Sequence, residues 1–202
     1  DLTEPLVSVA GLPGTSYTPA VGLAPETTYY WRVWATNACG DGAYSPVFAF
    51  TTRTVPTLLL VDDDDNEPDV RSYYTDALDA LDVAYDVWDT EHSDNEPSAD
   101  FLANYETVVW FTGDAYGGTA GPGAAGEAAL IAFLNTGKNL MISSQDYYYD
   151  RGLTTLMVDY LGVATVTNDV AQTVVTGAGS ALAGLGPYTL SYPFSNFSDA
   201  VN

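Results

Sequence analysis

Acidic side chains follow four apolar segments of this sequence, each at the carboxyl end of its segment. They are residues 62–65 after the first segment, Asp89 and Glu91 after the second, Asp114 after the third and Asp146 after the fourth. Crowded carboxylates repel one another, which raises some of their pKa values unless a cation lies between them. Hard cations such as Ca²⁺ take carboxylate oxygens as ligands. We therefore name Ca²⁺ as the candidate cofactor, with five candidate ligands: Asp62, Asp63, Asp64, Asp114 and Asp146.

The alternative is that these acids simply occupy solvated loops of an acidic protein. The 202 residues include 27 Asp and Glu but only 5 Lys and Arg, so the formal net charge is −22. The spacing of the acids also does not match the calcium-binding loop of an EF-hand. From the sequence, a cation site and a solvated acidic surface both stay open.

The charge balance excludes several classes of partner. Nucleic-acid binding needs a basic patch, and the 5 Lys and Arg are scattered along the chain. Attraction to an anionic membrane surface fails for the same reason, and no stretch approaches the ~20 apolar residues of a membrane span. Hydrophobic residues make up 47% of the sequence, so we expect a folded chain with a real core.

Nucleophilic catalysis has few candidate residues, since the sequence contains one Cys, Cys39, and one His, His92. A serine nucleophile would be Ser143 or Ser144, but it needs a positioned base, and the Gly-x-Ser-x-Gly pattern is absent. We expect His92 to be a solvated residue among acids and Cys39 to be a small packed residue in a turn. We therefore predict no catalytic residue and no enzyme activity in this chain.

Alternating strands and helices from Thr57 onward must position the acids. Apolar runs predict strands at 58–61, 85–88, 107–111 and 139–142, and helical spacing predicts helices at 69–84, 101–105, 124–135 and 152–161. This alternation is typical of a three-layer α/β, flavodoxin-like domain with a mostly parallel sheet and helices on both faces. In such sheets the working site lies beyond the carboxyl ends of the strands, where the acids are.

The first fifty residues show an all-β pattern instead. Short runs predict strands at 6–9, 15–18, 29–36 and 47–51, with Gly- and Pro-rich turns between them. Residues 53–56 are a predicted linker. We therefore expect a first domain over 1–52, the linker over 53–56 and a second domain over 57–202.

Part of the first domain resembles the last strands of a fibronectin type III sandwich. The matching residues are 23–29 (LAPETTY), with Tyr29 at the tyrosine-corner position, followed by Arg32, Val33, Ala35, Asn37, Gly40 and Ser45. Only about half of such a domain fits before Thr52, so we expect the domain to be partial. The resemblance implies a secreted or cell-surface multidomain parent, whose other domains would be partners of this segment.

Five segments of the second domain resemble the class I glutamine amidotransferase-like domain, in the degenerate form found in large secreted bacterial proteins. They are 58–63 (LLLVDD), 73–78 (YYTDAL), 85–89 (YDVWD), 108–114 (VVWFTGD) and 139–146 (NLMISSQD). The similarity spans about residues 57–199 and includes 186–188 and 192–194. Family members continue further, so we expect this domain to be truncated at its carboxyl end.

The amidotransferase family places a nucleophilic Cys in the turn after the fourth strand and a His downstream of it. Here Ser144 or Gln145 occupies that position, and no His follows. The resemblance therefore implies the fold without the activity, and a non-catalytic structural or interaction role.

Four alternatives stay open. The segment could be an accessory region of a secreted bacterial peptidase, or a building block of an extracellular fibre or surface layer that self-assembles. The acids could serve a metal-dependent hydrolase, or a receiver-like site with Asp114 as phosphoacceptor, although no Lys follows Lys138.

Residues 147–149, with Tyr116, could also form a stacking surface for an extracellular carbohydrate or protein.

Overall fold

The computed structural model describes residues 4–19, 22–64, 68–93, 95–118, 120–191 and 196–202, with only the backbone described at 180 and 181. The chain divides into two compact units, Asp1–Val55 and Pro56–Asn202. The division falls inside the predicted linker 53–56. No described helix is long and apolar enough to cross a membrane.

The first unit contains two small antiparallel sheets. Strand β1 (Thr28–Trp31) pairs with β4 (Phe48–Thr51), and β2 (Thr36–Asn37) pairs with β3 (Gly40–Asp41). The β1–β4 register stacks two aromatic pairs across the strands, with ring centroids 5.8 Å apart for Tyr29 and Phe50 and 5.0 Å apart for Trp31 and Phe48. Among residues 4–19 and 22–55, no side chain is buried.

The predicted strands at 6–9 and 15–18 are wrong. Both segments are irregular, because the described part of this unit offers neither of them a partner strand for hydrogen bonding. The predicted strand at 29–36 is also interrupted, since β1 ends at Trp31 and β2 begins at Thr36.

The second unit is built on a four-stranded parallel sheet. Its strands are β5 (Leu58–Asp62), β6 (Tyr85–Asp89), β7 (Thr107–Phe111) and β8 (Asn139–Ser143), in the spatial order β6-β5-β7-β8. Leu59, Leu60 and Val61 of β5 are fully buried, as the continuous apolar run predicts for an inner parallel strand. The prediction of a parallel sheet in this unit is confirmed.

Helices alternate with these strands. They are α1 (Arg71–Ala80), α2 (Ala99–Leu102), α3 (Ala124–Leu134) and α4 (Tyr147–Arg151), followed by one turn of π-helix at Leu156–Tyr160. Helix α1 is shorter than the predicted 69–84, because the chain turns at Asp82, whose φ of 54° is left-handed. Helix α3 packs against α2 and against the π-helical turn.

The remainder of the second unit, after Val163, has short elements. Strand β9 (Val166–Thr167) pairs with β12 (Ala200–Val201), and β10 (Val174–Val175) pairs with β11 (Tyr188–Thr189); α5 (Gly179–Leu182) lies between β10 and β11 in the chain. Asp65 and residues 192–194, named above, lie outside the described residues.

Candidate functional site

The carboxyl ends of the four parallel strands lie in register along one edge of the sheet. Asp62, the last residue of β5, is level with Asp89 at the end of β6 and with Phe111 at the end of β7, and Phe111 is level with Ser143 of β8. The turns that carry the predicted acids therefore begin at this edge.

Asp62 is the buried centre of the acidic group. Its side chain is 1% exposed and its Oδ2 accepts a hydrogen bond from Nε of Arg71, whose other arm donates to Asp89. Its Oδ1 is buried and has no hydrogen-bond partner. Burial raises the pKa of Asp62 to about 6, against the hydrogen bond from Arg71, and the nearby charge of Asp64 adds to the increase.

Asp64 and Asp69 complete a group of three carboxylates with Asp62. Oδ2 of the buried Asp64 accepts a hydrogen bond from the Val70 amide at 2.7 Å, and Oδ1 of the exposed Asp69 accepts one from the Arg71 amide at 2.9 Å. One oxygen from each of the three side chains lies within 4.8 Å of the other two. The start of α1 therefore brings Asp69 to the carboxyl end of β5.

Gly113 allows the turn after β7 to approach this group. Its φ is +56°, and a Cβ built on it would lie 2.9 Å from Cβ of Asp64. Any side chain here would push Asp64 away, so the position of Asp64 depends on a glycine at 113.

The other predicted ligands lie outside this group of three. Asp63 is buried, and its Oδ2 accepts a hydrogen bond from Nε1 of Trp110 at 2.9 Å. Asp63 therefore contacts β7, whereas Asp64 contacts the segment that leads into α1. Asp114 is half-buried, and burial together with the charge of Asp64 raises the pKa of its carboxyl group.

Asp146 belongs to a different acidic neighbourhood. It is 6% exposed, and burial raises its pKa to about 6, with further contributions from the charges of Asp150, Asp199 and Asp169. Of the five predicted ligands, only Asp62 and Asp64 thus belong to one group, which Asp69 completes, and Asp63, Asp114 and Asp146 lie outside it.

Asp69 is not among the ligands predicted from the sequence. It stands at the start of the predicted helix 69–84, where acidic residues are common because they interact favourably with the helix dipole. An acid seven residues after a buried strand-end acid, just before the next helix, is the signal that could have identified it.

The turn after β8 uses its polar side chains to hold neighbouring loops. Oγ of Ser144 donates a hydrogen bond to the carbonyl of Ala120, and Nε2 of Gln145 donates one to the carbonyl of Asp114 at 2.8 Å. His92 follows β6, and β6 and β8 are the two outer strands of this sheet. Three strand spacings, or about 14 Å, separate their carboxyl ends.

Two further sequence expectations need correction. Cys39 is exposed rather than packed. In the predicted aromatic surface, Tyr116 and Tyr149 are exposed, but Tyr147 is buried and donates a hydrogen bond to Oε1 of Glu127 at 2.8 Å. Tyr147 is therefore unable to take part in a stacking surface.

Comparison of the chain with protein-family models, with curated proteins and with solved structures found no match in any of the three.

Proposed function

We propose that this chain is a non-catalytic structural or interaction segment of a large secreted or cell-surface multidomain protein. The observation that carries the proposal is the turn after β8, where an amidotransferase would hold its nucleophile. Ser144 and Gln145 stand there, and both side chains donate hydrogen bonds to backbone carbonyls of other loops. They serve to fix loops at the sheet edge.

The separation of the remaining catalytic candidates supports the same proposal. A general base must lie within about 3 Å of the hydroxyl it deprotonates, or be joined to it through one water. His92 lies in the turn after β6, Ser143 ends β8 and Ser144 follows it, and the carboxyl ends of these two outer strands are about 14 Å apart. His92 is therefore a poor base for either serine.

The strand order supports an amidotransferase-like, flavodoxin-like identity for the second unit. Numbered along the chain, the strands of the sheet lie in the order 2-1-3-4. Flavodoxin-like sheets have the order 2-1-3-4-5, with helices on both faces. We propose that the second unit is a degenerate, three-layer member of this class.

One hydrogen bond supports a fibronectin type III identity for the first unit. The amide of Ala24 donates to the hydroxyl of Tyr29 at 2.9 Å. A tyrosine whose hydroxyl bonds to the backbone a few residues upstream is typical of the tyrosine corner in immunoglobulin-like sandwiches. A module of this kind next to an α/β unit is consistent with an extracellular multidomain parent.

Hydrolysis assays on the full chain test the proposal, with glutamine, a nitrophenyl ester and a peptide as substrates. We expect no turnover above that of the buffer. The variants Ser143→Ala, Ser144→Ala and Asp114→Asn remove the remaining candidates, and Ser72→Ala, on the exposed surface of α1, is the matched control. Turnover that disappears in any of the first three variants but persists in the control would contradict the non-catalytic role.

A further inference from the structure

We propose that Asp62, Asp64 and Asp69 bind one divalent cation, with Ca²⁺ preferred over Mg²⁺. This site goes beyond the structural role proposed above and does not depend on it. It also differs from the five-ligand site expected from the sequence, because Asp63, Asp114 and Asp146 are not among its ligands.

The spacing of the three carboxylates fits a single ion. Ca²⁺–oxygen distances are about 2.3–2.6 Å, so two ligands on opposite sides of one Ca²⁺ are at most about 5 Å apart. One oxygen from each of the three side chains lies within 4.8 Å of the other two. All three oxygens can therefore reach the same ion.

The buried oxygen of Asp62 is a second observation that points to a cation. Asp62 has a side chain that is 1% exposed, and Arg71 satisfies only its Oδ2. Oδ1 is buried and has no hydrogen-bond partner. A buried, unpaired carboxylate oxygen is costly, and a cation among the three carboxylates would supply the missing partner.

The charge around the site also favours a divalent ion. Arg71 pairs with both Asp62 and Asp89 at this edge. This one guanidinium pairs with two carboxylates, and Asp64 and Asp69 add two more carboxylates to the same group. Three negative charges remain when all four are ionised, and an ion of charge +2 offsets most of them.

The origin of the ligands explains the preference for Ca²⁺. Asp62 ends a strand, Asp64 lies in the loop that follows and Asp69 precedes α1, and backbone amides hold Asp64 and Asp69 in place. Ca²⁺ accepts irregular oxygen coordination, whereas Mg²⁺ demands a near-ideal octahedron at about 2.1 Å. An irregular, prearranged group of carboxylates therefore suits the larger ion.

Titration calorimetry on the full chain tests the site, with CaCl₂ and MgCl₂ at constant ionic strength and neutral pH. We expect one Ca²⁺ per chain, and Mg²⁺ binding at least about tenfold weaker. Asp69→Asn should weaken Ca²⁺ binding at least about tenfold. This variant should fold, because Asp69 is exposed and asparagine keeps the oxygen that accepts from the Arg71 amide.

The matched control is Asp76→Asn, which removes the same charge from an exposed position on α1 outside the cluster. It should bind Ca²⁺ like the unchanged chain, and the circular dichroism spectra of both variants should match that of the parent. Absence of saturable binding would overturn the proposal. Equal weakening in Asp69→Asn and Asp76→Asn would also overturn it, because that result indicates a diffuse counterion layer.

Discussion

At the residue scale, Gly113 links the turn after β7 to the acidic group. Its left-handed φ disfavours any side chain, and an added Cβ would lie 2.9 Å from Cβ of Asp64. We expect Gly113→Ala to lower the free energy of unfolding by roughly 2–4 kcal/mol, since backbone strain and overpacking both contribute. Chemical denaturation of the full chain measures this change.

Gly137→Ala is the control for Gly113→Ala. Gly137 also has a left-handed φ, +81°, but an added Cβ would meet nothing within 4 Å. We expect Gly137→Ala to lower the free energy of unfolding by roughly 1–2 kcal/mol, through backbone strain alone. Equal losses in the two variants would show that the contact between Gly113 and Asp64 does not matter for stability.

Asp146 should make the stability of the fold depend on pH, because its carboxyl group is buried. Its pKa rises from 3.8 to about 6 in the folded chain, chiefly through burial. A carboxyl group with a raised pKa favours the folded state fully below pH 3.8, and this contribution disappears as the pH rises through about 6. At neutral pH the ionised, buried Asp146 therefore destabilises the fold.

We expect Asp146→Asn to reduce the loss of stability between about pH 4 and 7, by up to about 3 kcal/mol. Denaturation curves across this pH range, for the full chain and the variant, measure the difference. Asp159→Asn, at an exposed position, is the control for the general repulsion among 27 acidic residues. The interpretation fails if the two variants change the pH profile equally.

At the element scale, Glu96 connects the loop after β6 to the start of α3. Its carboxylate accepts hydrogen bonds from the amides of Gly123 at 2.5 Å and Gly126 at 2.7 Å. A Cβ at position 126 would lie 2.5 Å from Oε1 of Glu96, so the glycine makes room for this cap. The contact satisfies two amides that an α-helix leaves unpaired at its amino end.

Glu96→Ala should therefore lower the free energy of unfolding by roughly 1–2 kcal/mol. The control is Glu106→Ala. The Glu106 side chain is 68% exposed, and its ion pair with Lys138 has an N–O distance of 3.9 Å. We expect that control to change stability by less than about 0.5 kcal/mol. Thermal and chemical denaturation measure the stability of both variants. If Glu96→Ala and Glu106→Ala lose similar amounts of stability, Glu96 has no capping role.

The sequence predicts the central elements well because their signals are local. The apolar run at 58–61 gives a buried parallel strand, and the matching runs give β6, β7 and β8 within about one residue. The segments at 6–9 and 15–18 show the limit of such patterns. Alternation there resembles a strand, but a strand exists only where a partner supplies hydrogen bonds.

The site is less predictable because it depends on contacts between distant parts of the chain. The topology alone predicts that acids at the strand ends lie at one edge of the sheet, and Asp62 and Asp64 are predicted as site residues for this reason. The removal of Asp63 from the site requires knowledge of its bond to Trp110, 47 residues away. The inclusion of Asp69 requires the path of the chain into α1, and no local pattern contains that path.

At the scale of the whole molecule, the two units differ in how much they bury. The second unit contains all the buried side chains of the described residues, whereas none is buried in 4–19 and 22–55. Hydrophobic burial is the main term that offsets chain entropy. We expect residues 56–202 to unfold cooperatively on their own and residues 1–55 to show no cooperative transition.

Circular dichroism during heating of the two separate fragments measures this difference. A sharp sigmoidal transition in residues 1–55 alone would show that the stacked aromatic pairs of β1 and β4 suffice as a core. Loss of the transition in residues 56–202 alone would show instead that the second unit depends on the first.

The central proposal is that the acids at the sheet edge hold a cation that stabilises the fold. A ligand that binds only the folded state raises the free energy of unfolding. The most direct test is therefore denaturation of the full chain and of Asp69→Asn, with and without excess CaCl₂ at constant ionic strength. We predict that Ca²⁺ stabilises the unchanged chain by at least about 1.4 kcal/mol more than the variant; no stabilisation, or the same stabilisation of both proteins, would contradict the claim.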